Sequence, residues 1–126
     1  MWTFKVTAGT ILNPEGALVT SHAYAGGNCG KNPEGVNNPA KVMVKDIGPL
    51  PPGLYTMGTP VEHSRLGPFA IPLTPDPANV MYGRGGFFCH GDTVPSGNAS
   101  EGCIIAARFV RDQMWASADH QIQVVI

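Results

Sequence analysis

The sequence predicts a mainly β domain with a single α-helix close to its C-terminal end. Three features carry this expectation. Sixteen glycines and 12 prolines in 126 residues divide the chain into short runs, as frequent turns require. The runs between them are rich in β-branched and aromatic residues, the content of strands. Apolar residues recur at helical spacing convincingly in one late stretch only. At this length residues 1–126 form one domain, with enough core to fold without disulfides.

Taken in order, Trp2, Phe4 and Val6 alternate with Thr3 and Lys5, Thr10-Ile-Leu follows, and Ala17-Leu-Val-Thr comes after Asn13-Pro-Glu-Gly. This pattern predicts an opening meander of two or three strands with a turn at 13–16. His22 is expected at the surface or a sheet edge. Residues 25–39, rich in Gly and Asn and containing Cys29, lack periodicity and predict a long loop, the kind that can border a groove. Val42-Met-Val-Lys predicts a short strand, residues 53–57 another, and residues 59–68 a loop carrying His63 and Arg65. Residues 69–73 read as a strand that Pro72 confines to an edge or a bulge. A turn-rich crossing at 74–79 leads to the apolar strand Phe87-Phe-Cys-His. Ala106, Val110 and Met114, four residues apart, predict a helix over 106–118, and a closing strand begins at Gln121.

The chemistry concentrates between Gly86 and Arg108. His90 ends an apolar strand, a loop of small polar residues spans 93–98, and Ser100-Glu-Gly-Cys-Ile-Ile enters a second strand. A thiol attacks a carbonyl as thiolate, and a partner imidazole can hold the proton and return it to a leaving amine. Cys103 is therefore the candidate nucleophile and His90 the candidate base. Gly102 gives the backbone room for main-chain amides to form an oxyanion hole. Gly91 belongs to the turn after His90, and Ser100 shapes the loop by hydrogen bonding. Asp92 either orients the imidazole or caps its own turn. Arg84, Arg108 and Arg111 are candidates to pair with a substrate carboxylate, with a solvated surface position the alternative for Arg111. Tyr55 either packs in the core or turns its hydroxyl to the site. A buried core cysteine is the other reading of Cys103, but such a residue needs neither Ser-Glu-Gly before it nor His-Gly-Asp upstream.

Cys89, His90, Cys103 and His120 raise the question of a metal. Structural zinc sites draw on close pairs such as Cys-x-x-Cys, which are absent, and adjacent strand residues face opposite ways. No metal and no cofactor is expected, and Cys89 should face the core if His90 faces a groove. The net charge of −1 is scattered, so no nucleic-acid or anionic-membrane partner is expected, and no apolar run is long enough to span a bilayer. The first residues alternate and lack a charged start followed by an apolar block, so no signal peptide is expected. Three cysteines cannot all pair within one chain, so synthesis in a reducing cytoplasm with Cys103 free is the simpler expectation.

An apolar strand ending in His-Gly, followed by Ser-x-Gly-Cys-Ile, resembles the active-site signature of L,D-transpeptidase (YkuD-like) catalytic domains. Gly48-Pro-Leu-Pro-Pro-Gly-Leu-Tyr, Gly83-Arg-Gly-Gly-Phe-Phe-Cys-His-Gly-Asp and Ala99-Ser-Glu-Gly-Cys-Ile-Ile are similar to a small single-domain branch of that family. The branch includes type VI secretion effectors and prophage relatives. The resemblance is close over 48–111 and thin before Asp46. It implies a YkuD-like β-sandwich or barrel, with one helix after the catalytic Cys. The implied activity is a cysteine L,D-transpeptidase or L,D-carboxypeptidase acting on peptidoglycan tetrapeptide stems. Action would be in the periplasm or cell wall after delivery by a secretion system or phage lysis, with a cognate immunity protein as partner. Within the family the imidazole is commonly oriented by a backbone carbonyl, which would leave Asp92 to the loop. Glu101 and Ile105 stand where the standard enzymes carry His and Arg, so the acceptor is left open. A non-catalytic phage or secretion-associated domain of the same fold is the rival class, and loss of His90 or Cys103 would have favoured it. The NlpC/P60-like cysteine peptidases place Cys before His, the reverse of the order here.

Overall fold

Alternation at the start of the chain becomes its first strand: Trp2 and Phe4 are buried while Lys5 is exposed. The computed structural model describes residues 1–94 and 96–126; Pro95, inside the expected 93–98 loop, lies outside them. β1 (Trp2–Lys5), β2 (Thr10–Leu12) and β3 (Leu18–Thr20) form the expected meander. Asn13 Oδ1 caps its second turn by accepting from the Glu15 and Ala17 amides. Further strands are β4 (Tyr24–Ala25), β5 (Gly53–Met57), β6 (Val61–His63), β7 (Gly67–Pro75), β8 (Phe87–His90), β9 (Ile104–Ile105) and β10 (Gln121–Val125).

These ten strands make one sheet in the order β3-β2-β1-β10-β5-β7-β8-β9-β4, with β6 added on β7. Only β1–β10 and β8–β9 pair in parallel. Laid flat, nine strands would span about 40 Å. The chain from Thr20 to Tyr24 reaches no more than roughly 14 Å, yet β3 and β4 are the two ends of that order. The sheet therefore curls until its ends meet, and the Ala23 amide donates to Gly9 O at 3.0 Å near the seam. The expected sandwich or barrel is thus a single curled sheet. Phe4, Tyr55, Ile71, Cys89, Ile104 and Ile122 fill its interior. Helix α1 (Arg108–Ala116) packs Val110 and Met114 into the same core.

Four expectations about elements are corrected. The helix starts at Arg108 because the Ala106 amide still donates to His90 O, continuing the ladder, and it ends at Ala116 because Ser117 turns extended. Residues 42–45 are not a strand. Asn38 caps a 3₁₀ turn at Pro39–Lys41, and helical-type bonds follow from Val44 to Lys41 and from Gly48 to Val44. Local capping here overrides the β preference of Val-Met-Val. The expected 59–68 loop contains β6, because the His63 ring closes a hairpin turn by accepting from the Arg65 and Leu66 amides. Pro72 lies neither on an edge nor in a bulge. It pairs with Phe88 on one side, and its carbonyl on the other accepts from Gly58, where β5 has already ended. The missing N–H therefore faces no strand and breaks no ladder. The irregularity falls instead between β6 and β7, where Phe69 adopts φ +54°.

Candidate active site

Register decides which side chains meet. β8 and β9 run parallel with Cys89 opposite Ile104 and His90 opposite Ile105. Alternation sends Cys89 and Ile104, both fully buried, into the core. The same alternation places His90 and Cys103 together on the other face. Cys103, immediately before β9, is level with Phe88, whose amide donates to Cys103 Sγ at 3.3 Å. The two side chains are therefore offset by two residues across the parallel pair.

The His90 ring is set by its first nitrogen. Nδ1 lies 2.9 Å from Gly91 O, and a carbonyl can only accept, so Nδ1 carries the proton and Nε2 bears the lone pair. Nε2 is buried and has no partner among the described residues, so thiol and imidazole are not hydrogen-bonded at rest. Burial pushes the Cys103 thiol above its ordinary range; the Phe88 amide and the Arg65 charge oppose this, and Glu101 adds to it. Burial pushes His90 below the usual imidazole range against the pull of Gly91 O, with Arg111, Arg65 and His63 adding to the lowering. The resting pair is a neutral thiol beside a neutral base. Burial also pushes Cys89 up to about 12, leaving it inert.

The loop before Cys103 is tied by Ser100. Its buried hydroxyl donates to Cys103 O at 2.7 Å and accepts from the Gly26 and Gly102 amides. Gly102 stands at φ +140°, and a Cβ there would lie 2.6 Å from the Arg84 guanidinium and 2.8 Å from Phe87. Its amide donates to Ser100 Oγ and so is already engaged, unlike the free amide expected for an oxyanion hole. A Cβ on Gly91 would lie 2.9 Å from Arg111 Nη2. Asp92 caps its own loop, accepting from the Thr93 and Gly97 amides and, at 2.6 Å, from Tyr24 OH. Gly91 O, not Asp92, thus holds the imidazole. A cleft of about 440 Å³ opens beside His90, walled also by Gly91, Cys29, Arg65, Asn98 and Ala99. Cys103 is not among the described residues of its wall.

The Tlde1 domain model matches residues 22–125. The chain belongs to the Tlde1 domain family. This is a family of type VI secretion effector domains. No curated protein matches the chain. The match to the Tlde1 domain begins just before β4 and takes in every site residue named above.

Within this Tlde1 domain the expected carboxylate partners sit elsewhere. Arg84 is buried, and its guanidinium donates to the carbonyls of Val42, Pro49, Gly48 and Glu101. It stitches the 42–49 segment to the Cys103 loop. Arg111, expected as readily at a solvated surface, is buried and donates to Ala106, Pro68 and Phe69 carbonyls. Arg108 is exposed, pairs with Asp112 and lies over the Phe69 ring. Tyr55 is fully buried with its hydroxyl on Pro51 O, a core residue. Three residues near the site make contacts that the sequence does not announce: Cys29, in the loop expected to border a groove, whose sulfur lies 3.6 Å from Glu101; Tyr24, which braces Asp92; and Arg65, which pairs with Glu101 at 3.4 Å. Each meets its partner 36 or more residues away, with no local motif to announce it.

Proposed function

We propose that this effector domain is a cysteine L,D-carboxypeptidase and L,D-transpeptidase acting on peptidoglycan tetrapeptide stems. The observation that supports it best is the unpartnered lone pair on His90 Nε2, held by the Nδ1 contact to Gly91 O, on the same sheet face as Cys103. A buried acceptor without a donor is costly for a folded domain, and a base waiting for a proton accounts for it. On attack, the Cys103 proton passes to Nε2 as sulfur bonds the carbonyl at the L-centre of the third stem residue. The Cys103 amide faces the resulting oxyanion. His90 returns the proton to the departing D-alanine amine as the C–N bond breaks, leaving a thioester. Water, a free D-amino acid or another stem's amine then attacks that thioester, giving trimming, exchange or a cross-link.

The experiment is mass spectrometry of disaccharide-tetrapeptide incubated with the protein and with Cys103→Ala, with and without an added D-amino acid. Loss or exchange of the terminal D-alanine only with Cys103 intact is the expected result. An unchanged stem with folded, reduced protein would reject the reading in favour of a binding domain. Membership of an effector family supports delivery to the wall by a secretion system and a cognate immunity protein. Copurification with the product of a neighbouring gene tests the latter, and repeated failure to find a binder counts against it.

A further inference from the structure

We infer that the cleft beside His90 receives the departing amino acid and that Arg65 binds its free carboxylate. This rests on the roles given above to Cys103 and His90. The proton carrier must come within hydrogen-bond reach of the leaving amine, so that amine must approach on the His90 side, where Nε2 is covered at rest. His90 forms part of the cleft wall and Cys103 does not. The cleft therefore opens on the His90 side of the pair, the side from which a proton returns to a leaving amine. At about 440 Å³ it holds a single amino acid with room for water.

An amino acid leaving from a chain end carries a carboxylate, which needs a cation. Among the described residues of the cleft wall Arg65 is the only arginine or lysine. It is presented at the tip of the β6–β7 hairpin by the His63 cap on its amide, and its charge reaches both Cys103 and His90. Arg84 and Arg111 cannot serve, since backbone carbonyls occupy their guanidinium groups. Arg65 meets Glu101 through one long contact of 3.4 Å, with both side chains substantially exposed. A pair of that kind contributes little and exchanges readily. Glu101 is not part of the cleft wall, so a carboxylate inside the cleft draws Arg65 away from it and replaces like with like. A planar fork bound at two oxygens is the stronger partner. Asp92, also in the wall, has its carboxylate engaged by Tyr24 OH and loop amides. The consequence is a preference for stems whose last residue ends in a free carboxylate over those amidated there.

The test is an NMR titration of Cys103→Ser protein with tetrapeptide stem and with its C-terminal carboxamide, read at the Leu66, Gly67 and Ala99 amides. Loss of a charged hydrogen bond predicts that the acid binds about 10- to 100-fold tighter than the amide. Arg65→Gln should erase that ratio while Arg65→Lys keeps part of it, with spectra otherwise unchanged. A ratio that persists in Arg65→Gln, a ratio near one in the parent, or shifts at another face would overturn the assignment. Turnover by wild-type protein is scored separately. Turnover without acid preference removes Arg65 and leaves the reaction; acid-selective binding without turnover does the reverse; neither binding nor turnover rejects both.

Discussion

His90 and Cys103 are both displaced from their ordinary proton affinities by the same cause, burial, but in opposite senses. A lowered imidazole keeps its base form to lower pH than a free histidine, and a raised thiol gives up its proton only at higher pH than a free cysteine, about 8.5. Alkylation of Cys103 by iodoacetamide should therefore climb with pH through a midpoint above that value, as mapped by peptide mass spectrometry. A midpoint near 6 would mean a preformed ion pair and sink the neutral resting state. Cys89, buried and near 12, should label only in denaturant. Ser100 offers a second test. Ser100→Ala strips the Gly26 and Gly102 amides and Cys103 O of one shared partner. Groups left unpaired in a buried site cost about 1–3 kcal/mol each, so urea melts should show a loss of at least about 2 kcal/mol, together with slower turnover. A variant as stable as the parent would mean that water replaces the hydroxyl.

At the level of elements, two buried arginines tie together the segments on either side of Cys103. Arg84 gathers four carbonyls from two segments, and Arg111 ties α1 to the strand passing Phe69. Lysine cannot reproduce that fork. Arg84→Lys should lower stability by about 2–4 kcal/mol in urea or thermal melts and reduce activity, even though the charge is kept; wild-type behaviour would show the carbonyl contacts to be dispensable. These roles also explain what was legible beforehand. The shared sheet face of His90 and Cys103, the loop role of Ser100 and the core-facing Cys89 could be read because strand alternation and a short motif fix them locally. The work of Arg84, Arg111 and Arg65 could not, since each depends on groups tens of residues away. The same holds for Val42 to Val44, whose β character gives way to the Asn38 cap and the pull of Arg84 on Val42 O. Pro72 misled for a related reason, because its place opposite Gly58 is a property of the sheet and not of its neighbours in sequence.

For the molecule as a whole, position in the sheet order governs tolerance. Val124 of β10 is buried and lies between Phe4 and Gly53, whereas Leu18 of β3 is an exposed residue at one end of the order. Val124→Asp should cost more than about 4 kcal/mol, as an unpaired charge in a core does, and leave little folded protein by circular dichroism. Leu18→Asp should stay within about 1 kcal/mol. Equal effects would contradict the central place of β10. That place has a further consequence in time. Trp2 pairs with Ile122, and β10 fills the gap between β1 and β5. During synthesis the two flanking strands lack this neighbour until residues 121–125 have left the ribosome. Chaperone occupancy on nascent chains should persist until β10 emerges, and the sheet then closes around the latest of its ten described strands.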